Sequence, residues 1–360
     1  MKKLPLAFAV LAAFSGVAAA QTNVTIYGLI DGGIEHQSGG ANGSLTKLTS
    51  GVQNASRIGF KGTEDLGGGM SALFTLENGF ALDTGAALQN GALFGRQAFV
   101  GLKGDFGTVT LGRQYTPIFT SLCGAIDPFA CGLAGNAANL MSQGGSATTK
   151  TGPRTDNALR YASPVFSGVQ AEVTYGFGET AGNNSALRTI SGQLGYTAGP
   201  LVARLAYNNV NDATATDSAK VTMLGAKYDF GMAALHVAYA INKGNAVAGN
   251  TFDPVTSLYN KSVTQGDTRD ALIGVSVPFG ASTFLASYIQ KKDKTAAAND
   301  AKQYAVGYTY ALSKRTNLYT SYAHINNTVA NNAAGFYTAG NATDLGAGNS
   351  SYNVGVRHTF

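Results

Sequence analysis

Alternation of apolar and polar residues is the dominant pattern along this chain. Between Gln303 and Leu312, tyrosine, valine and leucine alternate with glutamine, glycine, threonine and alanine. A period of two predicts β-strands with one apolar face. The same pattern recurs over residues 169–177, 201–208 and 235–242. Its polar positions are mostly small or neutral, whereas a soluble β-sandwich normally exposes lysine, glutamate and arginine. The pattern therefore favours strands that surround a water-filled interior.

The connections between the predicted strands alternate strictly between short turns and long loops. Seven short turns are rich in glycine, proline or serine. The eight long loops run roughly over residues 37–52, 81–93, 115–155, 178–186, 211–219, 243–265, 292–301 and 326–350. One strand before the first loop and one after the last give sixteen strands in all. Short turns at one end and long loops at the other are typical of outer-membrane barrels. The sequence thus predicts an all-β fold, a sixteen-stranded antiparallel transmembrane β-barrel with long external loops.

The N-terminus and the composition agree with export to a membrane. Lys2 and Lys3 precede a short apolar segment that ends in Ala18-Ala19-Ala20, which predicts a cleaved signal peptide over residues 1–20 and one barrel domain over residues 21–360. Charged residues make up 12% of the chain, about half the usual share. No apolar run approaches the roughly eighteen residues of a membrane helix. The net charge of +5 is too weak to indicate nucleic-acid binding.

The third long loop, about residues 115–155, contains both cysteines of the chain. Cys123 and Cys131 lie close together in an exported protein, so we expect a disulfide within the loop. A metal site would need histidine or further cysteine, and a catalytic thiol would need a paired histidine. The loop has no histidine, and we expect no metal and no cofactor. A loop this long inside a compact domain is usually functional.

Six segments of the chain have a distinctive sequence. They are SRIGFKGTEDLGGG (Ser56–Gly69), FGRQAFVGL (Phe94–Leu102), GTVTLGRQ (Gly107–Gln114), NALRYASP (Asn157–Pro164), LSKRTNLY (Leu312–Tyr319) and the ending YNVGVRHTF. Together they resemble general porins of Gram-negative outer membranes, of the β-proteobacterial type, and the resemblance covers the whole chain. It implies a sixteen-stranded barrel, a homotrimer, and a third external loop folded into each pore.

The resemblance also implies which residues line the pore constriction. Basic residues of similar proteins match Arg57, Arg96 and Arg154, and an acidic residue matches Glu77. The alternation supports part of this assignment, because the apolar positions next to Arg57 and Glu77 should face outward and leave these two side chains inside.

Further charged residues are candidates from the pattern or from their place in the loop. By alternation Lys61 and Arg160 face inward, and Asp127 is an acid of the third loop. Arg113, like Arg96, shares parity with outward apolar residues. Either a bulge near Gly95 and Gly112 resets the register, or these two arginines lie at a subunit contact or beyond the apolar band.

The expected function is a passive, water-filled outer-membrane channel for small hydrophilic solutes and ions. Three arginines would outweigh Glu77 and Asp127, which predicts a weak preference for anions. A substrate-specific porin of the same fold is the alternative. An outer-membrane hydrolase is the alternative from another class, but no hydrolase motif is present and His324 is the only weak candidate for its histidine.

The C-terminal strand and the membrane suggest further partners. Every second residue from Tyr352 to Phe360 is apolar or has an aromatic ring, and the strand ends in an aromatic residue. Phe360 resembles the signal that the barrel-assembly machinery recognises. The simpler interpretation is a last strand that closes the barrel. We also expect contact with outer-membrane lipid and lipopolysaccharide, and no nucleic acid.

Overall fold

The computed structural model describes residues 23–144, 153–244, 266–333 and 335–360. The predicted signal peptide, residues 1–20, lies outside the described residues. The strands are β1 Asn23–Gly40, β2 Gly43–Ser50, β3 Arg57–Gly67, β4 Met70–Gly79, β5 Gln97–Gly104, β6 Gly107–Tyr115, β7 Arg154–Ala162, β8 Val169–Gly176, β9 Thr189–Ala198, β10 Leu201–Asn211, β11 Ser218–Asp229, β12 Ala234–Gly244, β13 Gly266–Phe279, β14 Ser282–Asp293, β15 Ala301–Ala311, β16 Thr316–Asn327 and β17 Ser350–Thr359.

The strands close into a ring in which the first strand pairs with the last. β1 pairs antiparallel with β17 on one side and with both β2 and β3 on the other. Because β2 and β3 follow each other along the same side of β1, they form one interrupted barrel strand. The seventeen segments therefore make sixteen barrel strands, which confirms the predicted sixteen-stranded antiparallel barrel.

The first predicted loop was placed wrongly. Instead of a loop over residues 37–52, β1 and β2 continue as a hairpin to a turn after Gly40, and the interruption follows at residues 51–56. The buried carboxylate of Asp31 holds this interruption. It accepts hydrogen bonds from the backbone N–H groups of Gln53 at 3.0 Å and Asn54 at 2.6 Å.

The two faces of the wall differ as the alternation predicts. In β12, Leu235, Val237 and Tyr239 are exposed, whereas His236 and Ala238 between them are buried. Among the described residues, no helix has the length and apolar character needed to cross a membrane. The ring of paired strands satisfies the backbone hydrogen bonds, so its apolar outer face can meet lipid.

The third long loop contains short helical segments that the sequence did not indicate. Helix α1 spans Pro117–Ser121, a π-helical turn follows at Leu122–Ile126, and a 3-10 turn spans Ala137–Asn139. The hydroxyl oxygen of Thr116 caps α1 by accepting a bond from the Phe119 N–H at 3.1 Å, and proline occupies the first turn. These local bonds explain how a glycine-rich, polar stretch becomes ordered.

The third loop folds into the barrel, as expected. The Nδ1 atom of His236 lies 2.7 Å from the carbonyl oxygen of Ile126. On another part of the wall, the N–H of Ala134 donates to the hydroxyl of Ser321 at 2.9 Å, and the Gln303 amide donates to the Gly135 carbonyl at 3.1 Å. The loop thus crosses the interior from β12 to β15 and β16, and it supplies much of the buried apolar cluster.

Candidate functional site

Two arginines share one tyrosine at the base of the third loop. Tyr115 ends β6 and pairs directly with Arg154, the first residue of β7. The Arg154 guanidinium lies over the Tyr115 ring, 4.6 Å from its centroid, and donates to its hydroxyl at 2.9 Å. Arg96 donates to the same hydroxyl and lies 5.8 Å from the ring centroid. The Phe119 ring stacks on Tyr115 with centroids 4.4 Å apart, so α1 is packed against the tyrosine that both arginines contact.

Glu77 is the carboxylate of this group, and it is 2% exposed. It accepts a hydrogen bond from the Nε atom of Arg96 at 2.7 Å and another from the Tyr27 hydroxyl at 3.0 Å. Arg96 lies one residue before β5, and its own N–H donates to the Glu77 carbonyl at 3.1 Å. Because Arg96 precedes the strand, the parity of β5 does not govern the direction of its side chain.

Arg57 and Lys61 lie on the neighbouring strand β3. Arg57 is partly exposed, and the charges of Arg96 and Glu77 act on it. Lys61 is exposed, with its ammonium 5.1 Å from the centre of the Tyr27 ring. We call Arg57, Arg96, Arg154, Glu77 and Tyr115 the arginine cluster. Three guanidiniums and one carboxylate give it a formal charge of +2.

Arg160 has its own acidic partner away from this cluster. Its Nη2 atom lies 2.5 Å from a carboxylate oxygen of Glu172 on the adjacent strand β8. Arg160 is six residues from Arg154 along β7. The sequence grouped it with the constriction, but its contact is with the wall.

Arg113 on β6 contacts the segments on both sides of its strand. Its Nε atom donates to the Gly95 carbonyl at 2.7 Å, and it forms an ion pair with Asp156. The pairing of β6 and β7 shifts register between Gly112 and Gln114, close to the position at which a bulge was one predicted alternative. Gly112 has a φ of 125°, a conformation that favours glycine.

Asp127 does not face the arginines as the sequence suggested. Its buried carboxylate accepts bonds from three N–H groups of its own loop, those of Phe129 at 3.2 Å, Cys131 at 2.8 Å and Ala137 at 3.1 Å. The tight turn leaves these donors without other partners, and the aspartate satisfies them. Burial raises the pKa of Asp127 to about 6, against the lowering effect of the N–H bonds.

The disulfide predicted within the third loop is present. Cys123 and Cys131 are bonded, with their Cα atoms 5.0 Å apart. Within the described ranges, no three histidine, cysteine, aspartate or glutamate side chains are grouped so as to hold a metal ion.

The sequence missed two features of the site. Tyr115 has outward parity in β6, so no pattern indicated its contact with two arginines. The loop between β16 and β17 also folds inward. The side-chain amide of Asn341 donates to the Glu35 carboxylate at 2.8 Å, and the backbone carbonyl of Asn341 accepts from the Asn136 side chain of the third loop at 2.8 Å. Asparagine is common in external loops, so nothing in the sequence marked this contact.

His324, the weak hydrolase candidate, has polar neighbours at the outer ends of β16 and β17. Its Nδ1 atom lies 2.7 Å from the Ser350 hydroxyl, and its Nε2 atom lies 2.7 Å from the Asn326 side-chain oxygen. Ser350 also donates to the side chain of Asn349 at 3.2 Å. These residues link the two strands through side chains at the external end of the wall.

Comparisons with known proteins agree with the fold and with the sequence segments. Residues 7–332 match the family described as Gram-negative porin. An outer membrane porin protein of Bordetella pertussis is 34% identical and outer membrane porin protein 32 of Delftia acidovorans is 35% identical, each over the full length of both chains. The solved anion-selective porin from Comamonas acidovorans is 31% identical and has a TM-score of 0.76, covering 94% of this chain and 100% of that one.

Proposed function

The chain belongs to the Gram-negative porin family, and on that premise we propose that the arginine cluster makes its channel weakly selective for anions. The protein is an outer-membrane porin, a water-filled channel for passive diffusion of small hydrophilic solutes and ions.

The observation that carries this proposal is the imbalance of charge in the cluster. Three arginines face a single carboxylate, Glu77, beside the loop that fills part of the barrel. Asp127 does not offset them, because its carboxylate is turned into its own loop. The similar structure from Comamonas acidovorans is described as an anion-selective porin, which supports the same sign here.

The preference should be mild. Arginine stays charged at any relevant pH, so the cluster keeps its formal charge of +2. In a narrow constriction a passing ion lies within the Debye length of about 8–10 Å, and salt screens the cluster incompletely. The pore contains water, however, and a high dielectric constant limits the energy of each interaction.

The reversal potential across a salt gradient tests the proposal in planar bilayers. Arg57→Ala and Arg154→Ala should each shift the reversal potential toward cations. Arg57 is the cleaner position, since Arg154 also packs on Tyr115. Arg315→Ala, in the short turn at the opposite end of the barrel, is the matched control and should leave the value unchanged. A wild-type preference for cations, or a reversal potential that neither substitution moves, would show that the cluster does not set selectivity.

General diffusion is favoured over a substrate-specific channel. A specific channel would be supported by a continuous basic or aromatic ladder along one wall. In the part of the wall that the structure describes, Arg160 is paired with Glu172 and the buried Lys291 with Asp270. Each of these two basic residues is neutralised by a carboxylate on the adjacent strand.

We also infer that the channel has no hydrolase activity. Histidine contacts a serine hydroxyl at two places in the described wall, His324 with Ser350 and His236 with Ser276, and we assign both contacts a structural role in joining neighbouring strands. Treatment with a serine-reactive fluorophosphonate should leave Ser350 unlabelled. Stoichiometric labelling that Ser350→Ala abolishes would support the hydrolase alternative instead.

We propose that residues 21–360 form one barrel domain after removal of residues 1–20, that three copies assemble, and that outer-membrane lipid and lipopolysaccharide surround them. We propose that Phe360 is read by the barrel-assembly machinery. Its N–H and carbonyl bond to the carbonyl and N–H of Gly28 at 3.1 Å each, so it also closes the ring. Deleting Phe360 should lower the amount of protein in the outer membrane more than it lowers the yield of refolding in detergent. A normal amount of the truncated protein in the outer membrane of cells would contradict the assembly role.

A further inference from the structure

Five adjacent strands carry a basic residue at the external end of their outer face. Each side chain shares parity with exposed apolar residues of its strand, while the residues beside it in sequence that point inward are buried. We call this set the basic belt. Its members, one on each strand from β11 to β15, are Lys220, Lys243, Arg269, Lys292 and Lys302.

The strand register keeps each member of the basic belt within two residues of the member on the next strand. Lys220 pairs directly with Lys243, and Arg269 pairs directly with Lys292. Lys243 lies opposite Asp267, two residues from Arg269, and Lys302 lies opposite Gln290, two residues from Lys292. Neighbouring strands are about 4.8 Å apart, so the belt extends over roughly 20 Å of the wall. Like charges directly opposite each other on a sheet are destabilising, and an anion held between them would relieve the repulsion.

The belt carries more positive charge than its own acids neutralise. Arg269 forms an ion pair with Asp267, and Lys292 forms one with Asp300. Lys220, Lys243 and Lys302 form no ion pair with any described residue. Five cations and two paired acids leave +3. Just beyond the strands, Lys294 adds one positive charge and Asp217 and Asp212 add two negative charges, which leaves a net charge of +2 for the belt and these neighbours.

Aromatic side chains place the belt relative to the membrane. Tyr239, Tyr288 and Tyr304 are outward-facing residues two to four positions closer to the middle of the wall, and the rings of Tyr288 and Tyr304 lie 5.1 Å apart. Tyrosines on the outside of a barrel concentrate at the boundary between hydrocarbon and headgroups. The basic belt therefore lies at the level of the lipid headgroups.

The rest of the external rim differs. At comparable outward positions, four other strands of the described wall have uncharged side chains or histidine. These are His36 on β1, Asn78 on β4, Asn326 on β16 and Ser350 on β17. Arg113 on β6, which is paired with Asp156, and Arg188, one residue before β9, also have outward parity at this end, but they do not lie on adjacent strands. A run of basic residues on adjacent strands is therefore a feature of one arc.

We propose that the basic belt binds the phosphate groups of a phosphorylated glycolipid of the outer leaflet, the headgroup chemistry of lipid A. Lipid fits better than free phosphate, because exposed Leu224, Ile273 and Val306 lie below the belt and offer apolar surface to acyl chains. The proposal depends on the outer-membrane location of the barrel and not on the ion preference of its pore. It also assigns the arc from β11 to β15 to lipid contact, and so leaves the opposite arc for other subunits.

Binding of defined lipids to the purified full-length protein in detergent tests this site. Native mass spectrometry would compare bisphosphorylated lipid A with the same lipid after removal of both phosphates. Each basic residue at an anionic lipid surface contributes about a factor of five in affinity. The double variant Lys220→Gln/Lys243→Gln should therefore bind bisphosphorylated lipid A about thirtyfold more weakly, and Lys302→Gln about fivefold. The dephosphorylated lipid should bind wild type and variants alike.

A matched control removes the same charge elsewhere. Lys314→Gln/Arg315→Gln changes two exposed residues of a short turn at the opposite end of the barrel and should keep wild-type affinity. Equal affinity of the belt variants and wild type, or equal binding of the dephosphorylated lipid, would overturn the proposal. Displacement of the lipid by inorganic phosphate at the same concentration would identify a free-phosphate site instead. The reversal potential of the belt variants should stay unchanged, so this result is independent of the selectivity test.

Discussion

Replacing Glu77 by glutamine should increase the preference for anions, because it removes the carboxylate of the arginine cluster and retains all three guanidiniums. The formal charge of the cluster rises from +2 to +3. Glutamine has nearly the same shape, so the side-chain oxygen can still accept the bond from Arg96 or from Tyr27. The change therefore alters charge more than geometry.

The magnitude follows from Coulomb's law and from screening. For an ion about 8 Å from the carboxylate, the interaction in water is about 0.5 kcal/mol. Screening at 0.1 M salt, with a Debye length of about 10 Å, leaves roughly 0.2 kcal/mol. Because chloride gains what potassium loses, the anion-to-cation permeability ratio should rise about twofold. At 0.01 M salt the Debye length is about 30 Å, and the rise should be about fourfold.

Reversal potentials of Glu77→Gln at both salt concentrations provide the assay. Glu64→Gln is the matched control, since Glu64 is an exposed carboxylate near the short turn after β3. Weakening a buried ion pair from one side costs up to about 3–5 kcal/mol, so only protein that migrates as a folded barrel should be compared. A ratio that stays constant, or falls, in Glu77→Gln would refute the electrostatic role of the cluster. A rise that does not grow at low salt would refute the Coulombic estimate.

Three further predictions concern ring closure and the third loop. Gly28→Ala should impair assembly at a cost of about 1–3 kcal/mol, because its Cβ atom would lie 2.5 Å from both the Arg57 carbonyl oxygen and the Phe360 ring. The yield of folded barrel measures this effect. Gly124→Ala is the control, since a Cβ atom at that position would meet open space. Cys123→Ser/Cys131→Ser should lower the stability of the third loop by about 2–3 kcal/mol, because the loop is no longer closed by a covalent bond. Amide exchange over residues 123–131 should become faster, and unchanged exchange would contradict this prediction. Since the pKa of Asp127 is raised from 3.8 to about 6, the carboxyl favours the folded loop most below about pH 4, and this contribution falls by up to about 3 kcal/mol as pH rises through 6. After correction for the intrinsic exchange rate, the protection of the Cys131 amide should fall as pH rises in wild type and should not depend on pH in this way in Asp127→Asn. An equal pH dependence in both proteins would rule out Asp127 as its source.

The barrel itself could be predicted from the sequence because its determinants are local. A side chain in a strand points to the face opposite its neighbour's, so the apolar residues of β12 and β15 indicate the outer face without knowledge of any partner strand. Turn residues mark the strand ends in the same way. The pairing of Cys123 with Cys131 was also accessible, since the two are close in sequence and the chain is exported.

The arginine cluster was decided by tertiary structure. Parity gave the inward side of Glu77, but parity placed Arg96 and Tyr115 outside, and both contact the cluster at the ends of strands where alternation no longer holds. Asp127 was misplaced for a related reason. Its charge suggested an interaction with arginines. In the folded loop, however, three backbone N–H groups donate to its carboxylate, and they come together only after the loop has folded. Contacts between residues far apart in sequence depend on register and loop packing, which no local pattern encodes.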